Sequence, residues 1–396
     1  MFVALRQAAT APMPWPGIPA SVRRDRGPSM VRPTVRNGRN PRTILRLLVI
    51  AFMRLGRTVM ARRNIVAIGG SLGSTAVLKR LLKGLPPDFP AAVLITTHIP
   101  STSTGYLAEM LSAFTSLPIG QAVDGQPIEQ GRIHVAPPDR HLLAIDGAVV
   151  LGTGPRENMA RPAIDPLFRS AAWSYGPRVI GVVLSGLLND GAAGLYAIKE
   201  ARGLTVVQHP LDAEAPEMPR AALETVEVDH VASAEDLAGL LTALVEEPAG
   251  PAPPPSPELE LEVMIAAGRR VGSDELRKIA EPSAVTCPHC QGVLSEMKGR
   301  GPLRYRCQIG HAFTAEAVIS AQEEGVTEAI RIAMRMMEER TELVARMARE
   351  AREQGRSAVA ELYEARAAEY GGYAATLRRA ATMELRSARR TSPQEV

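Results

Sequence analysis

Ser71, His98 and Asp190 are the residues whose types and settings point to chemistry. Ser71 lies in Gly69-Gly70-Ser71-Leu72-Gly73, a G-x-S-x-G pattern whose glycines permit a sharp turn and hold a hydroxyl clear of the backbone. A serine hydroxyl becomes a useful nucleophile when an imidazole takes its proton, and the imidazole works best when a carboxylate fixes its tautomer. His98 and Asp190 are the candidates for those two roles. Among the seven histidines, His134 and His230 fall within expected strands and His289 and His311 lie near the cysteines, so His141 and His209 remain rivals to His98 as the base. Asp190 also suits the N-cap of the helix expected after it. The order Ser, His, Asp differs from that of α/β-hydrolases, where the acid precedes the histidine, which disfavours a typical hydrolase of that kind.

A second constellation lies far downstream. Cys287-Pro288-His289-Cys290 is followed by Cys307 and His311, and these are all the cysteines of the chain. Thiolates and an imidazole at this spacing suit a closed tetrahedral zinc site held by Cys287, Cys290, Cys307 and His311, with His289 as an alternative fourth ligand. Four protein ligands leave no open position, so the expected zinc is structural. The competing reading is a redox C-x-x-C with a stray third cysteine.

The elements that must position these groups follow from periodicity. Ile65 to Ile68 is a short apolar run ending in glycines, and Val77, Leu78, Leu81 and Leu82 recur at helical spacing, so Ser71 stands on a strand-to-helix turn. Strands are expected at Ala91 to Thr97, Ile133 to Ala136, Val179 to Leu184 and Leu204 to Gln208. Helices are expected at Ser103 to Phe114, Ile164 to Tyr175 and Gly191 to Ala201, with a hairpin turning at Asp146-Gly147. Apolar strands alternating with helices predict an α/β fold, a doubly wound, mostly parallel sheet with helices on both faces. Ser71, His98 and Asp190 each follow a strand, where such sheets bind ligands.

The 396 residues suggest two to three domains. Charge is uneven: residues 1 to 60 hold eleven arginines and one acid, a formal +10, which leaves −6 for the rest. No basic stripe with interleaved aromatics follows, which excludes a nucleic-acid reading built on net charge. The longest apolar run, Leu47 to Met53, is too short to span a bilayer, and the cysteine usage fits a reducing cytoplasm.

The expected organisation is a disordered, targeting or untranslated leader over 1–59, with Met60 a natural start, then a catalytic domain over 60–245. A Pro-rich linker over 246–262 leads to a zinc-binding module over 263–315, ribbon-like in character, and a helical hairpin over 316–390. Val326, Ile330, Ala333, Met337, Val344 and Met347 form the seam of that hairpin.

Taken together, the residues from Ile65 to about Leu241 resemble the catalytic domain of CheB-type protein-glutamate methylesterases. The matching pieces are Ile68-Gly69-Gly70-Ser71, Leu85-Pro86-Pro87-Asp88-Phe89-Pro90, His98, Ala122-Val123-Asp124-Gly125, Ala136-Pro137-Pro138-Asp139-Arg140-His141, Arg161-Pro162-Ala163-Ile164-Asp165, Leu184-Ser185-Gly186 with Asp190-Gly191-Ala192, and Met218-Pro219. The resemblance implies a triad of Ser71, His98 and Asp190, an oxyanion held by backbone amides such as those of Leu72 and Leu188, and no cofactor for catalysis. It further implies hydrolysis of glutamate γ-methyl esters, and deamidation of glutamines, on chemoreceptor helices in bacterial chemosensory adaptation.

The chain departs from the family where Leu72-Gly73-Ser74 stands for Thr-Gly-Gly or Ala-Gly-Gly, and where Leu187-Leu188 stands for Met-Gly. The receiver domain common in the family is not expected in residues 1 to 63, so regulation by phosphorylation in cis is not expected either. Two alternatives stand beside the esterase reading: a catalytically weak scaffold that binds receptor helices, and a general small-molecule serine esterase. The zinc module and hairpin are expected to engage a coiled-coil partner or other chemosensory proteins, without nucleic acid or membrane insertion, and to be separable from ester hydrolysis.

Overall fold

The computed structural model describes residues 62–254, 256–299 and 301–387. The expectations for residues 1–59 lie outside the described residues, as does the end of the expected hairpin beyond 387.

The first half is built on a sheet of seven strands. β1 (Ile65–Gly70) is central, followed along the chain by β2 (Ala92–Thr97), β3 (Ile119–Gln121) and β4 (Ile133–Val135). The antiparallel hairpin β5 (His141–Ile145) and β6 (Ala148–Gly152) stands apart, and β7 (Val179–Val183), β8 (Leu204–Gln208) and β9 (His230–Ala232) complete the sheet. The spatial order is β3-β4-β2-β1-β7-β8-β9, with every pairing parallel. The chain steps from β1 toward β2 on one side and returns to β7 on the other, so the topological switch lies beside β1.

Both faces of the sheet are covered, which explains the unbroken apolar strands. Val66 and Ile68 point into one core with Leu78, Leu81, Leu82 and Leu241, while Ile65 and Ala67 point into the other with Ile164, Phe168 and Leu195. The helices are α1 (Ser74–Gly84), α2 (Leu107–Ser112), α3 (Ile164–Tyr175), α4 (Ala192–Glu200), α5 (Glu217–Thr225) and α6 (Leu237–Leu244). α3 spans the expected residues, whereas α2 is half the length read from periodicity, because residues 103–106 form turn and coil. Asp146 and Gly147 both adopt positive φ, 46° and 85°, as a two-residue hairpin turn demands.

The proline-rich stretch is shorter than expected. Residues 257–262, read as linker, belong to helix α7 (Pro257–Ala267), whose first turn is capped by the Ser256 hydroxyl accepting from the Leu259 amide. Proline at the first helical position is compatible with a helix because its missing N–H has no intrahelical partner there. α7 lies directly on the first half: a Cβ at Gly152 or Gly154 would meet backbone of Ile265 and Ala266.

α8 (Ser273–Ile279) then leads into an antiparallel sheet of β10 (Ala280–Thr286), β11 (Val293–Met297), β12 (Arg304–Cys307) and β13 (Ala312–Thr314). The long helices α9 (Ala315–Glu353) and α10 (Ser357–Ser387) follow, with Gly355 turning between them at φ +74°. No helix among the described residues is long and apolar enough to cross a membrane.

Candidate active site and metal centre

Ser71 follows β1 and is fixed by its own backbone. Its amide donates to Ser185 O at 2.9 Å, and its carbonyl accepts from the Ser74 amide at 3.1 Å and the Ser74 hydroxyl at 2.6 Å. Gly73 makes the turn into α1 at φ +80°, where a side chain would be strained. Gly186 lets the loop after β7 approach, since a Cβ there would lie 2.9 Å from Ser71 Cβ and 2.0 Å from Met218 Sδ. The Ser71 hydroxyl makes no hydrogen bond among the described residues and lines a cleft of about 490 Å³ with His98, Arg156, Arg161, Leu188 and Asp190.

His98 follows β2 and Asp190 follows the loop after β7. His98 Nε2 lies 2.6 Å from Asp190 Oδ2. Asp190 is 2% exposed and accepts from three further donors: the Ile164 amide at 2.7 Å, the Asp165 amide at 3.2 Å and Asn158 Nδ2 at 2.9 Å. Burial by itself raises this carboxyl, but the hydrogen bond and charge of His98, with the Ile164 and Asn158 donors, outweigh it and hold Asp190 below the usual carboxylate range. It therefore stays ionised while facing His98. The first turn of α3 serves as part of the cage, its N-terminal amides being donors without intrahelical partners.

The rival histidines lie elsewhere. His141 is fully buried, with Nε2 3.0 Å from Pro155 O and Nδ1 accepting from the Ala163 amide, and burial holds it neutral by lowering its pKa. His209 accepts from the Leu211 amide in a turn after β8 and is absent from the cleft lining. Leu188 lines the cleft, at φ +60°, and Leu72 stands exposed on the elbow; neither amide donates to a protein acceptor among the described residues.

Two residues missed by sequence reasoning complete the cage. Asn158 Nδ2 bridges Asp190 Oδ1 and Asp165 Oδ2, the latter at 3.0 Å. Asp165 accepts from the Gly191 and Gly194 amides at the start of α4, and burial, then the charge of Asp190, push its carboxyl up to about 7. Asp165 stood within a recognisable motif, Arg161 to Asp165, yet without a role; Asn158 carried no signal because two of its side-chain partners, Asp190 and Thr314, are 32 and 156 positions away. In the same motif Arg161 donates to Asp139 Oδ1 from Nη2 at 2.7 Å and to Gly154 O from Nη1 at 3.0 Å, which fixes it beside the cleft.

The ligand atoms of Cys287, Cys290, Cys307 and His311 lie within 4.8 Å of one another. Cys290 Sγ is 3.6 Å from Cys307 Sγ, and His311 Nδ1 is 3.4 Å from Cys307 Sγ and 3.9 Å from Cys287 Sγ. Tetrahedral zinc with its usual bond lengths needs edges of about 3.5 to 3.8 Å, which these three separations approach, and three thiols with one imidazole are a donor set suited to that ion. Burial pushes the Cys287 thiol up to about 12 and lowers His311 to about 4; the second shift leaves the imidazole neutral, as ligation requires. His289 is not part of the cluster but packs edge-on against His311, ring centroids 4.4 Å apart.

The cluster is joined to the cleft. Glu157 and Arg169 of the first half form a buried ion network with Glu262 of α7 and Arg304 and Arg306 of β12; Arg306 Nη2 is 3.1 Å from both Glu157 Oε1 and Glu262 Oε2. Alongside it, the Thr314 amide donates to Asn158 Oδ1 at 3.0 Å, the Thr314 hydroxyl pairs with Asn189 Oδ1 at 2.7 Å, and Asn189 Nδ2 donates to Glu316 at 2.6 Å. The separability expected from the proline-rich stretch has no counterpart in these contacts.

The family model for CheB methylesterase matches residues 66–241. A protein-glutamate methylesterase/protein-glutamine glutaminase of Anaeromyxobacter dehalogenans is 40% identical over 184 residues, 46% of this chain and 54% of that protein. A protein of Leptospira interrogans, provisionally assigned the same two activities, is 41% identical over 180 residues, 45% of this chain and 93% of that protein. The crystal structure of the Thermotoga maritima CheB methylesterase catalytic domain is 31% identical, with a TM-score of 0.44, over 46% of this chain and 98% of that one. The chain spans about half the length of several curated relatives it matches.

Proposed function

The chain belongs to the CheB methylesterase family, and on that premise we propose that residues 60–245 hydrolyse glutamate γ-methyl esters on chemoreceptor helices and deamidate receptor glutamines by the same route. The observation that carries this reading is the His98–Asp190 pair, 2.6 Å apart, in the cleft that Ser71 also lines.

In the proposed reaction Ser71 Oγ attacks the ester carbonyl while His98 Nδ1, the nitrogen not engaged by Asp190, takes its proton. The Leu72 and Leu188 amides receive the developing oxyanion. His98 returns the proton to the departing methoxide as the C–O bond breaks, releasing methanol, or to the former amide nitrogen of a glutamine as its C–N bond breaks, releasing ammonia. Water activated by His98 then frees the glutamate and Ser71. No cofactor is required. Leu72, Leu187, Leu188 and Met159 leave an exposed apolar rim around the cleft, which suits a helix docking along it.

The Cys287, Cys290, Cys307 and His311 set holds a structural zinc in this reading, a closed knot that supplies folding energy and no step of the hydrolysis. The paired helices α9 and α10 offer a surface for other chemosensory proteins, and the setting is the cytoplasm. Labelling by a fluorophosphonate at Ser71, lost in Ser71→Ala, together with methanol release from methylated receptor membranes, tests the proposal. An unlabelled Ser71 in folded protein would leave only the scaffold role, and turnover of nitrophenyl esters without demethylation of receptors would mark a general esterase.

A further inference from the structure

We propose that the Cys/His module is a positioning element for Asp190, so that a divalent metal whose four ligands stand outside the cleft lining governs hydrolysis; this rests on the esterase reading of Ser71, His98 and Asp190. Asn158 is the connecting residue. Its amide nitrogen spends both hydrogens on Asp165 and Asp190, and its oxygen accepts from the Thr314 amide, so the orientation of the group is set by a strand of the module. Its backbone is tied there too, the Asn158 amide donating to Ala312 O at 2.8 Å. Asn158 and Met159 both stand at positive φ, 47° and 66°, a conformation that costs energy and persists where surrounding contacts enforce it. On the other flank, Asn189, next to Asp190 in sequence, is gripped by Thr314 and Glu316.

The holding segment begins at the cluster. His311 O accepts from the Cys307 amide at 3.0 Å, closing the turn that carries both ligands, and Ala312 and Thr314 follow directly on β13. The core under this sheet is small, with Leu294, Phe313, Ala317 and Val318 its buried members besides two of the cysteines. So small a core draws much of its stability from the metal. Loss of the metal frees residues 312–316, and the side chains on both flanks of Asp190 lose their partners together.

The test uses the full chain loaded with Zn²⁺, with metal content followed by elemental analysis. Stripping with a chelator is expected to lower the rate of Ser71 phosphonylation by about tenfold or more, as loss of an orienting partner typically does, and Zn²⁺ is expected to restore it. Amide hydrogen exchange should quicken at residues 158–165 and 189–194 while β1 and β8 stay protected. Thr314→Val, retaining one zinc per chain, should also slow labelling by about tenfold, and Thr314→Ser should recover it. Confirmed metal release with unchanged labelling and unchanged exchange would overturn the proposal, as would failure of the chain to bind zinc. Absence of labelling in the loaded chain would sink the esterase reading, while the exchange measurement still decides the coupling.

Discussion

His98 presents Nε2 to Asp190 at 2.6 Å, so in the reaction proposed above Nδ1 is the nitrogen assigned to take the proton of Ser71. In the familiar serine-protease arrangement the carboxylate takes Nδ1 and the serine faces Nε2. The proposed reaction uses the ring the other way round, with Asp190 holding it from a site with four donors and no exposed edge.

Asp190→Asn replaces one acceptor oxygen by an NH₂ group amid those donors and removes the charge that fixes the His98 tautomer. The expected outcome is a loss of about 1,000-fold or more in kcat for ester hydrolysis, as when other triad carboxylates become amides. Steady-state kinetics on protein shown to be folded by circular dichroism checks it, and a loss under tenfold would remove Asp190 from the mechanism.

Stability should respond to pH through the two neighbouring carboxyls in opposite senses. Asp165, pushed up to about 7 from 3.8, binds a proton in the folded state that the unfolded chain releases, so stability falls as pH rises from about 4 to about 7. Asp190, held low, contributes stability that is complete above about 4 and is lost as pH falls below it. Asp165→Asn is expected to flatten the decline between pH 4 and 7 and leave the acid limb in place. Urea midpoints measured across that range decide the matter.

Much of the candidate site was legible because its residues fall on local pattern. Ser71 sat on a glycine turn after an apolar run, and His98 and Asp190 followed strands, so one parallel sheet sufficed to bring them to one edge. Asn158, Asn189 and Thr314 were not legible, because their roles arise from contacts across 125 to 156 positions of sequence, which no periodicity records. The prolines between 248 and 257 misled for a local reason. They forbid helix until the last of them, where Pro257 instead begins α7.

Leu188 occupies the left-handed region at φ +60° in the loop that borders the cleft. A non-glycine residue there carries about 1 to 3 kcal/mol of strain. Leu188→Gly is expected to relieve about 1 kcal/mol of it, the remainder being offset by the freedom glycine gains when unfolded. It should also leave the oxyanion amide in place, so kcat is expected to hold or rise. Thermal melting and ester turnover of the variant check both parts; a lower melting point would show the leucine side chain to be a net stabiliser.

Gly186→Ala tests the elbow from its neighbour. The added Cβ would meet Met218 Sδ at 2.0 Å and Ser71 Cβ at 2.9 Å, so either the methionine or the nucleophile must move. Displacement of a reacting group by about 1 Å costs about 100-fold. The expected result is a loss of that order in kcat, and a crystal structure of the variant would show which side chain yielded.

Arg306 ties the two halves of the chain through buried ion pairs, so they are expected to unfold together. It is fully buried, it pairs with Glu157 of the first half and Glu262 of α7, and it donates to Gly310 O at 2.8 Å beside the Cys/His cluster. Arg306→Ala strips a partner from two carboxylates that have no water to turn to, and breaking a buried pair in this way costs about 3 to 5 kcal/mol. Because Glu157 also pairs with Arg169, which lies within 3.9 Å of Asp165, the loss reaches the α3 segment that cages Asp190. Tryptophan fluorescence follows the first half, since both tryptophans, Trp15 and Trp173, precede residue 246 and Trp173 lies on α3. Its melting transition is expected to fall by several degrees in Arg306→Ala, although the substituted residue lies in the other half. A transition unchanged from wild type would restore the two halves to independence.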